Sequence, residues 1–307
     1  MTLPLLALTL IQVLHTDSPT SPGRFSFVSA ASGLVLTGSE FWIAPDDELH
    51  LARFSRDPKA LGKWVQVVPG GPLPEMKKAR KKVKPDFESL VVLPSGPGEP
   101  ALLLALPSGS TASRVGGAWV GLGKNGSTTG AWQAAHFGTL FTELRKKYAE
   151  LNVEGAVATG SRLKLFQRGN GSAGHNAVID LDLKEVVRDL RAGKPVSTTS
   201  VRSHQSRDLG LLGTTRLGFT DAALGPSGDI FFLAAAEDKN STYADGEFRG
   251  AVLGRIDVKG KLSLIVRLDV KTKPEGLWMD ANGKDFFVVT DADDAARPAE
   301  LLRGRLP

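Results

Sequence analysis

Short apolar runs separated by glycine turns follow one another along the whole chain, and this pattern predicts β-hairpins. In one clear example, the apolar residues 222–224 lead into a turn at residues 225–228, and a second apolar run covers residues 230–236. Another example extends from residue 277 to residue 289 and turns at Asn282-Gly283. Each run has the length of a β-strand, so the pattern favours antiparallel strands joined by tight turns.

Each block begins with the same short motif, in which a Ser, Glu or Asp precedes a very small residue and an apolar run. The motif occurs five times, and successive copies are separated by 56, 66, 67 and 54 residues. Repeats of this length are typical of propeller blades that carry loops of different sizes. The sequence therefore predicts an all-β fold, a five-bladed β-propeller of four-stranded antiparallel blades, in a single domain over residues 1–307. The polar residues of the five motifs are Ser32, Glu88, Glu154, Asp221 and Glu275.

The N-terminal apolar run, residues 3–14, alternates in a β-like way at Thr9, Ile11 and Val13. No Lys or Arg precedes it, no small-x-small cleavage site follows, and it is too short to cross a bilayer as a helix. We therefore interpret it as a strand that completes the last blade, and we expect no membrane insertion and a cytoplasmic location, with a periplasmic or secreted one left open. Helical spacing predicts two short inserted helices, at residues 139–151 and 183–190.

Composition and charge narrow the classes of function. The hydrophobic fraction of 41% and the charged fraction of 23% are typical of a globular protein, and the net charge is 38 minus 33, or +5. Much of the excess lies in the basic run 77–84, which we interpret as a solvated loop, or less often a patch that attracts phosphates. No aromatic residues are interleaved with it, so we expect no nucleic-acid binding. We also expect the protein to be a monomer. The absence of cysteine excludes disulfides, thiolate metal ligands and thiol catalysis.

The predicted fold brings two sets of polar residues to one mouth of the central tunnel. The five motif residues begin the innermost strands and form an inner ring, because small neighbours such as Gly33, Gly155 and Gly276 let the backbones approach. The aromatic residues of the second strands are expected to form core between blades, and they are Trp42, Phe166, Phe232 and Phe287. The outer set lies at the ends of the returning strands and comprises Asp46, Asp47, Ser108, Arg168, Asn170, Glu237, Asp291 and Asp293.

Four carboxylates in one ring cannot all stay ionised without help, because a pair at roughly 4 to 6 Å repels by about 3 to 4 kcal/mol at an effective dielectric near 20. Either protons are taken up or a cation binds among them. The ring offers only oxygen ligands, which favours Ca²⁺ over Zn²⁺ or a redox metal. The alternative is a water-filled polar tunnel without an ion. Arg168 either holds an anionic substrate group, with help from Lys84 or Lys273, or neutralises the acidic ring.

The order of the motifs resembles a bacterial family of propeller proteins of unknown function and, more distantly, the five-bladed calcium-activated nucleotidases of the apyrase type. The resemblance rests on the segments Ser32-Gly33-Leu34, Phe87-Glu88, Val153-Glu154-Gly155, Phe166-Gln167-Arg168, Thr220-Asp221 and Lys273-Pro274-Glu275-Gly276. It implies that the five motif residues form a Ca²⁺ shell and that Arg168 contacts a phosphate. Asp221 stands where those enzymes have a neutral hydroxyl residue. The Glu-Gly-Leu motif is also similar to that of esterase-like and phytase-like propellers.

Two hypotheses of different classes follow. The first is a metal-dependent hydrolase of phosphate or ester substrates, in which Glu237 or Asp291 acts as the base. The second is a propeller without enzymatic activity that binds a small anionic or ester ligand, or a partner, while an ion holds the blades together. A mouth closed over by Arg168 and the loop 239–249 would favour the second hypothesis.

Overall fold

The computed structural model describes residues 3–96, 98–169, 175–238 and 247–306, and it confirms a five-bladed β-propeller of four-stranded antiparallel blades. Two N-terminal strands are β1 (Leu5–Ala7) and β2 (Thr9–Val13). Blade one comprises β3 (Ala31–Thr37), β4 (Glu40–Pro45), β5 (His50–Ser55) and β6 (Lys63–Gln66). Blade two comprises β7 (Phe87–Leu93), β8 (Ala101–Pro107), β9 (Gly116–Leu122) and β10 (Thr128–His136).

The remaining three blades follow in chain order. Blade three comprises β11 (Val153–Thr159), β12 (Arg162–Gln167), β13 (Asn176–Asp182) and β14 (Val201–Arg207). The short strand β15 (Leu211–Leu212) then precedes blade four, which comprises β16 (Thr215–Leu224), β17 (Ile230–Asp238), β18 (Glu247–Ile256) and β19 (Leu262–Asp269). Blade five comprises β20 (Lys273–Met279), β21 (Asp285–Asp291) and β22 (Glu300–Arg305), and β2 is its fourth strand.

The N-terminal run closes the propeller, as its alternating pattern predicts. Strand β2 pairs antiparallel with β22, with Thr9 opposite Arg303 and Val13 opposite Glu300. The strand before it, β1, pairs parallel with β19 of blade four, so the first residues join blades four and five. The three-residue strand β1 was not predicted, because so short a segment carries no readable alternation. Blade five thereby gains its fourth strand, and β19 of blade four is paired on both sides.

The core lies between neighbouring blades. Trp42, Phe166 and Phe232 are at most 2% exposed, which confirms their predicted role, while Phe287 is only partly buried. Phe219 connects two of these residues, because its ring packs edge-on against Phe166 at 5.1 Å and against Phe232 at 5.2 Å. These side chains fix the angle at which blades three and four meet.

Three helices are inserted between strands, where the sequence predicts two. Helices α2 (Gly138–Lys147) and α3 (Leu183–Arg191) are the predicted ones, and the Asp182 carboxylate caps α3 by accepting the Glu185 N–H. The third, α1 (Lys77–Val83), covers the basic run that we interpreted as a solvated loop, and that interpretation is wrong. A short 3₁₀ helix, Thr198–Ser200, leads into β14. None of the helices in the described part of the chain is long and apolar enough to cross a membrane.

Helix α1 is held at the mouth of the tunnel by polar contacts rather than by an apolar face. Arg80 is its one buried residue among those described. The Arg80 guanidinium donates to the Pro74 carbonyl at 2.9 Å and to the Glu75 carbonyl at 2.7 Å, and it forms an ion pair with Asp47 at 3.2 Å. Six positive charges within eight residues would destabilise this helix in an isolated peptide, because like charges repel one another. In the protein, nearby carboxylates such as that of Asp47 offset the repulsion.

The innermost strands pack backbone against backbone, as the small motif residues predict. A Cβ atom on Gly155 would lie 2.9 Å from the backbone nitrogen of Ala222 in the next blade. A Cβ atom on Gly33 would lie 2.8 Å from the backbone nitrogen of Leu90. No side chain fits at these positions without moving the adjacent blade.

We expect Gly155→Ala to lower the free energy of unfolding by about 1–3 kcal/mol, because the added methyl group forces blades three and four apart. Chemical denaturation followed by tryptophan fluorescence measures the change. Gly116→Ala is the matched control, since its Cβ would meet nothing within 4 Å. Equal stability of the two variants would contradict this packing.

Candidate metal centre

A β-bulge interrupts the pairing of the first and second strands in every blade, at the start of the innermost strand. The register shifts between Ala31 and Gly33 in blade one and between Phe87 and Ser89 in blade two. It shifts in the same way in the other three blades. Bulges re-aim the side chain of the extra residue, and here they gather polar residues at the tunnel mouth. The residues at the five bulges are Ser32, Glu88, Glu154, Thr220 and Glu275.

The bulge residue of blade four is Thr220 and not Asp221, which corrects the predicted inner ring. Asp221 pairs with Leu233 and occupies the position that Gly155 and Gly276 hold in their own blades. The Thr220 hydroxyl donates to the Pro274 carbonyl at 2.7 Å. Blade four therefore places a neutral hydroxyl residue in the ring. The error arose from aligning the small residue Ala222 with the glycines of the other motifs.

Asp221 lies one residue further along the strand and links two blades. One carboxylate oxygen, Oδ2, accepts the Leu277 N–H at 2.7 Å. The other, Oδ1, is buried without a hydrogen-bond partner. Burial, together with the charges of Glu154 and Glu275, raises the pKa of Asp221 well above its ordinary value. The raised pKa favours the neutral form of the Asp221 carboxyl over the charged form that the sequence predicts.

Three carboxylates of the ring converge closely enough to hold one metal ion. Glu88, Glu154 and Glu275 each offer an oxygen, and these three atoms lie within 4.8 Å of one another. The three residues are 9%, 4% and 4% exposed. The Ser32 hydroxyl donates to Glu275 Oε2 at 3.4 Å, so a fourth oxygen adjoins the group. Two oxygens bound to one Ca²⁺ at about 2.4 Å are at most about 4.8 Å apart, so the spacing fits that ion.

Two buried cations neutralise part of the ring. The guanidinium of Arg168 lies 3.3 Å from Glu154 and 2.9 Å from Glu237. The ammonium of Lys273 lies 2.8 Å from Glu275 and 3.0 Å from Glu237. Arg168 thus neutralises carboxylates of the mouth, which is one of its two predicted roles, and its contact with an anionic substrate stays a prediction. Glu237, a predicted base, bridges the two cations.

The electrostatics of the mouth favour proton uptake when no ion is bound. Burial raises the pKa of Glu88 well above its ordinary value, and the charges of Glu154 and Asp86 raise it further. Burial raises the pKa of Glu275 to about 7, although Lys273 opposes the shift. Burial and the charge of Glu275 also raise the pKa of Asp291, the other predicted base, well above its ordinary value.

A second acidic group adjoins the first and shares Glu88 with it. Asp46, Asp86 and Glu88 also offer oxygens within 4.8 Å of one another. The ammonium of Lys84 contacts Asp46 and lies 2.8 Å from Asp86 Oδ1. Asp46 belongs to the predicted outer set, whereas Asp86 was missed. Its place two residues before Glu88 is a signal in the sequence that could have pointed to it.

A cleft of about 320 Å³ opens above the two acidic groups. Asp291 and Asp293 reach its wall, as predicted, and the Asp293 N–H donates to Asp291 Oδ1 at 2.7 Å. Ser108 instead turns to Asp86 and hydrogen-bonds its carboxylate. Asn170 and residues 239–246 of the predicted closing loop lie outside the described residues. Further residues on the wall are Lys81, Ser110, Thr111, Arg114 and Asn152.

Comparisons with known proteins place the chain in a family but not in an enzyme class. A family model described as a family of unknown function (DUF6929) matches residues 27–306. No curated protein matches the chain. The resemblance to the calcium-activated nucleotidases and to bacterial proteins stays a prediction.

Several solved propeller-like structures resemble the chain at a low level. A putative phosphatase from Bacteroides thetaiotaomicron is 9% identical with a TM-score of 0.47, and the match covers 98% of this chain and 79% of the phosphatase chain. A gluconolactonase from Xanthomonas campestris is 9% identical, with 92% and 88% covered and a TM-score of 0.39. Virginiamycin B lyase from Staphylococcus aureus is 11% identical, with 91% and 67% covered and a TM-score of 0.36. Similarity this low says nothing about activity.

We expect the metal-free protein to become less stable as the pH rises from about 5 to 8. Glu275 has a pKa of about 7 in the folded protein against an ordinary value of 4.5, and Asp46 one of about 6 against 3.8. The folded state therefore binds more protons than the unfolded state in this range, and the stability this contributes is lost as the pH passes the folded pKa. Glu275 alone accounts for roughly 3 kcal/mol.

Denaturant titrations of the EDTA-treated protein at several pH values measure this slope. Glu275→Gln should flatten it, whereas Glu143→Gln, at a side chain that is 50% exposed, should leave it unchanged. A stability that rises between pH 5 and pH 8 would contradict the assignment.

Proposed function

Because the chain belongs to the family of unknown function DUF6929, we propose its function from its own residues: the tunnel mouth binds a divalent cation, and the loaded centre hydrolyses small phosphate or ester substrates. Glu88, Glu154 and Glu275 hold the ion, with Ser32 beside them. Oxygen ligands alone favour Ca²⁺.

One observation carries the proposal, namely the unpaired charge of Glu88. Among the described residues, none forms an ion pair or a hydrogen bond with its carboxylate, although it is only 9% exposed. Glu154, Glu237 and Glu275 pair with Arg168 and Lys273, whereas the Glu88 carboxylate has no such partner among the described residues. Buried charges require such compensation.

A divalent ion in this place supplies an electrophile for a phosphoryl or carbonyl oxygen, or lowers the pKa of a bound water. Asp291 is the better of the two predicted bases, because it lies on the wall of the cleft and burial raises its pKa, which makes its carboxylate a stronger base. Its Oδ1 accepts the Asp293 N–H, so Oδ2 is the atom that takes up or gives the proton. Glu237 orients Arg168 and Lys273 instead. Arg168 balances charge and is committed to Glu154 and Glu237.

A second candidate function, a structural ion in a propeller that binds ligands without catalysis, has support of its own. Glu88, Glu154 and Glu275 begin the innermost strands of blades two, three and five, so an ion among them would join three blades. The cleft volume of about 320 Å³ suits a small ligand whether or not it reacts.

We expect Ca²⁺ to raise the melting temperature of the EDTA-treated protein by several degrees, because a ligand at 100 times its Kd stabilises the native state by about 2.7 kcal/mol. Glu154→Gln and Glu275→Gln should abolish the rise, and Glu143→Gln should keep it. Differential scanning calorimetry with and without Ca²⁺ makes the measurement. If Ca²⁺ does not change the melting temperature of the wild type, the tunnel is water-filled and holds no ion, and the proposal is contradicted.

We expect Ca²⁺-dependent hydrolysis of 4-nitrophenyl phosphate or 4-nitrophenyl acetate, with the rate lowered about 100-fold or more by EDTA or by Asp291→Asn. Release of 4-nitrophenol follows the reaction, and Glu143→Gln is the control for protein quality. If Ca²⁺ stabilises the protein but neither substrate class reacts, the structural-ion function replaces the hydrolase.

A further inference from the structure

The second acidic group at the mouth already contains a positive charge, which comes from the chain itself. Lys84 is the residue that ends helix α1, and its side chain is 10% exposed. Its ammonium contacts the Asp46 carboxylate and lies 2.8 Å from Asp86 Oδ1. Glu88, which belongs to both acidic groups, adds to the charge around this ammonium.

We infer that Lys84 is a tethered cation that fills a second cation site, so that the centre takes one metal ion where its carboxylates alone would take two. The second site consists of Asp46, Asp86 and Glu88, whose oxygens lie within 4.8 Å of one another. The inference deepens the proposed function, because Glu88 is shared by both sites.

Two observations beyond the acidic cluster support a site of this kind. First, an ammonium nitrogen 2.8 Å from a carboxylate oxygen lies close to where a Ca²⁺ ion would lie, since Ca²⁺ binds oxygen at about 2.3–2.6 Å. Second, the Glu88 carboxylate is 9% exposed and has no hydrogen-bond or ion-pair partner among the described residues, so it can serve a cation on either side.

Helix α1 has the task of holding this ammonium in place. The Lys84 N–H donates to the Arg80 carbonyl at 2.9 Å, and the Arg80 guanidinium binds Asp47 of blade one. Arg114 of blade two donates to the Lys81 carbonyl at 2.9 Å and also pairs with Asp86 at 2.9 Å. The helix is thus attached on both sides of the acidic group. The basic run therefore serves to position the Lys84 ammonium.

An ammonium in place of a second metal ion changes how the centre would act on a bound ligand. An ammonium offers charge and hydrogen bonds but does not activate a water as a metal ion does. The second cation of the centre therefore acts by attraction alone, at the wall of the cleft that also carries Lys81. An anionic oxygen, such as that of a phosphate, is the group that benefits from this arrangement.

Counting bound Ca²⁺ per chain tests the inference. Equilibrium dialysis against ⁴⁵Ca²⁺ should give about one ion for the wild type and about two for Lys84→Met, which keeps the length of the side chain and removes its charge. Lys84→Arg should return the count to one. Lys82→Met is the matched control, because it removes one charge from an exposed position of the same helix and should leave the count unchanged.

The outcomes separate this inference from the proposed function. If the wild type binds no ion but Lys84→Met binds one that Asp86→Asn removes, the second site stands and the first one fails. If the wild type binds one ion that Glu154→Gln removes, and Lys84→Met also binds one, the first site stands and the inference is overturned. A Lys84→Met protein that folds only with Ca²⁺ supports the inference. One that stays unfolded at every Ca²⁺ concentration overturns it.

Discussion

The repulsion among buried carboxylates at the tunnel mouth is the constraint on which the rest of this structure depends. Two carboxylates about 4.8 Å apart repel by about 3 kcal/mol at an effective dielectric near 20, and burial adds to the cost. The chain meets this cost with Arg168 and Lys273 in the ring and with Lys84 beside it. Burial, together with the neighbouring carboxylates, still raises the pKa of Glu88 and of Glu275. The divalent ion that we propose would complete the balance without protons.

The propeller makes so dense a cluster possible because each blade contributes one residue. A bulge at the start of every innermost strand turns that residue toward the tunnel, and small residues such as Gly155 let the strands approach. Closure by β2 keeps the blades in register around the ring. The same geometry fixes the backbone position of each ring residue, because the innermost strands of neighbouring blades pack backbone against backbone.

The blades and most of the ring could be predicted because their signals are local: apolar alternation, glycine turns and a repeated acidic motif. Thr220 was missed because a bulge depends on how two strands pair, and one residue of slip exchanges it with Asp221. Strand β14 is the polar outermost strand of blade three, so the sequence shows no apolar run from which it could be predicted. The roles of Lys84 and Glu237 arise from contacts between distant segments, which no single stretch of sequence contains.

Isothermal titration of Ca²⁺ into the metal-free protein at pH 7, in two buffers with different heats of ionisation, tests the central claim most directly. Metal ions bind deprotonated ligands, so binding at raised-pKa carboxylates releases protons. The account predicts one ion bound per chain with release of protons, because the pKa of Glu275 is about 7 and that of Glu88 is raised, and the ion favours the ionised form of both carboxyl groups. Absence of binding at millimolar Ca²⁺, or binding with no release of protons, would contradict a cation site among these carboxylates.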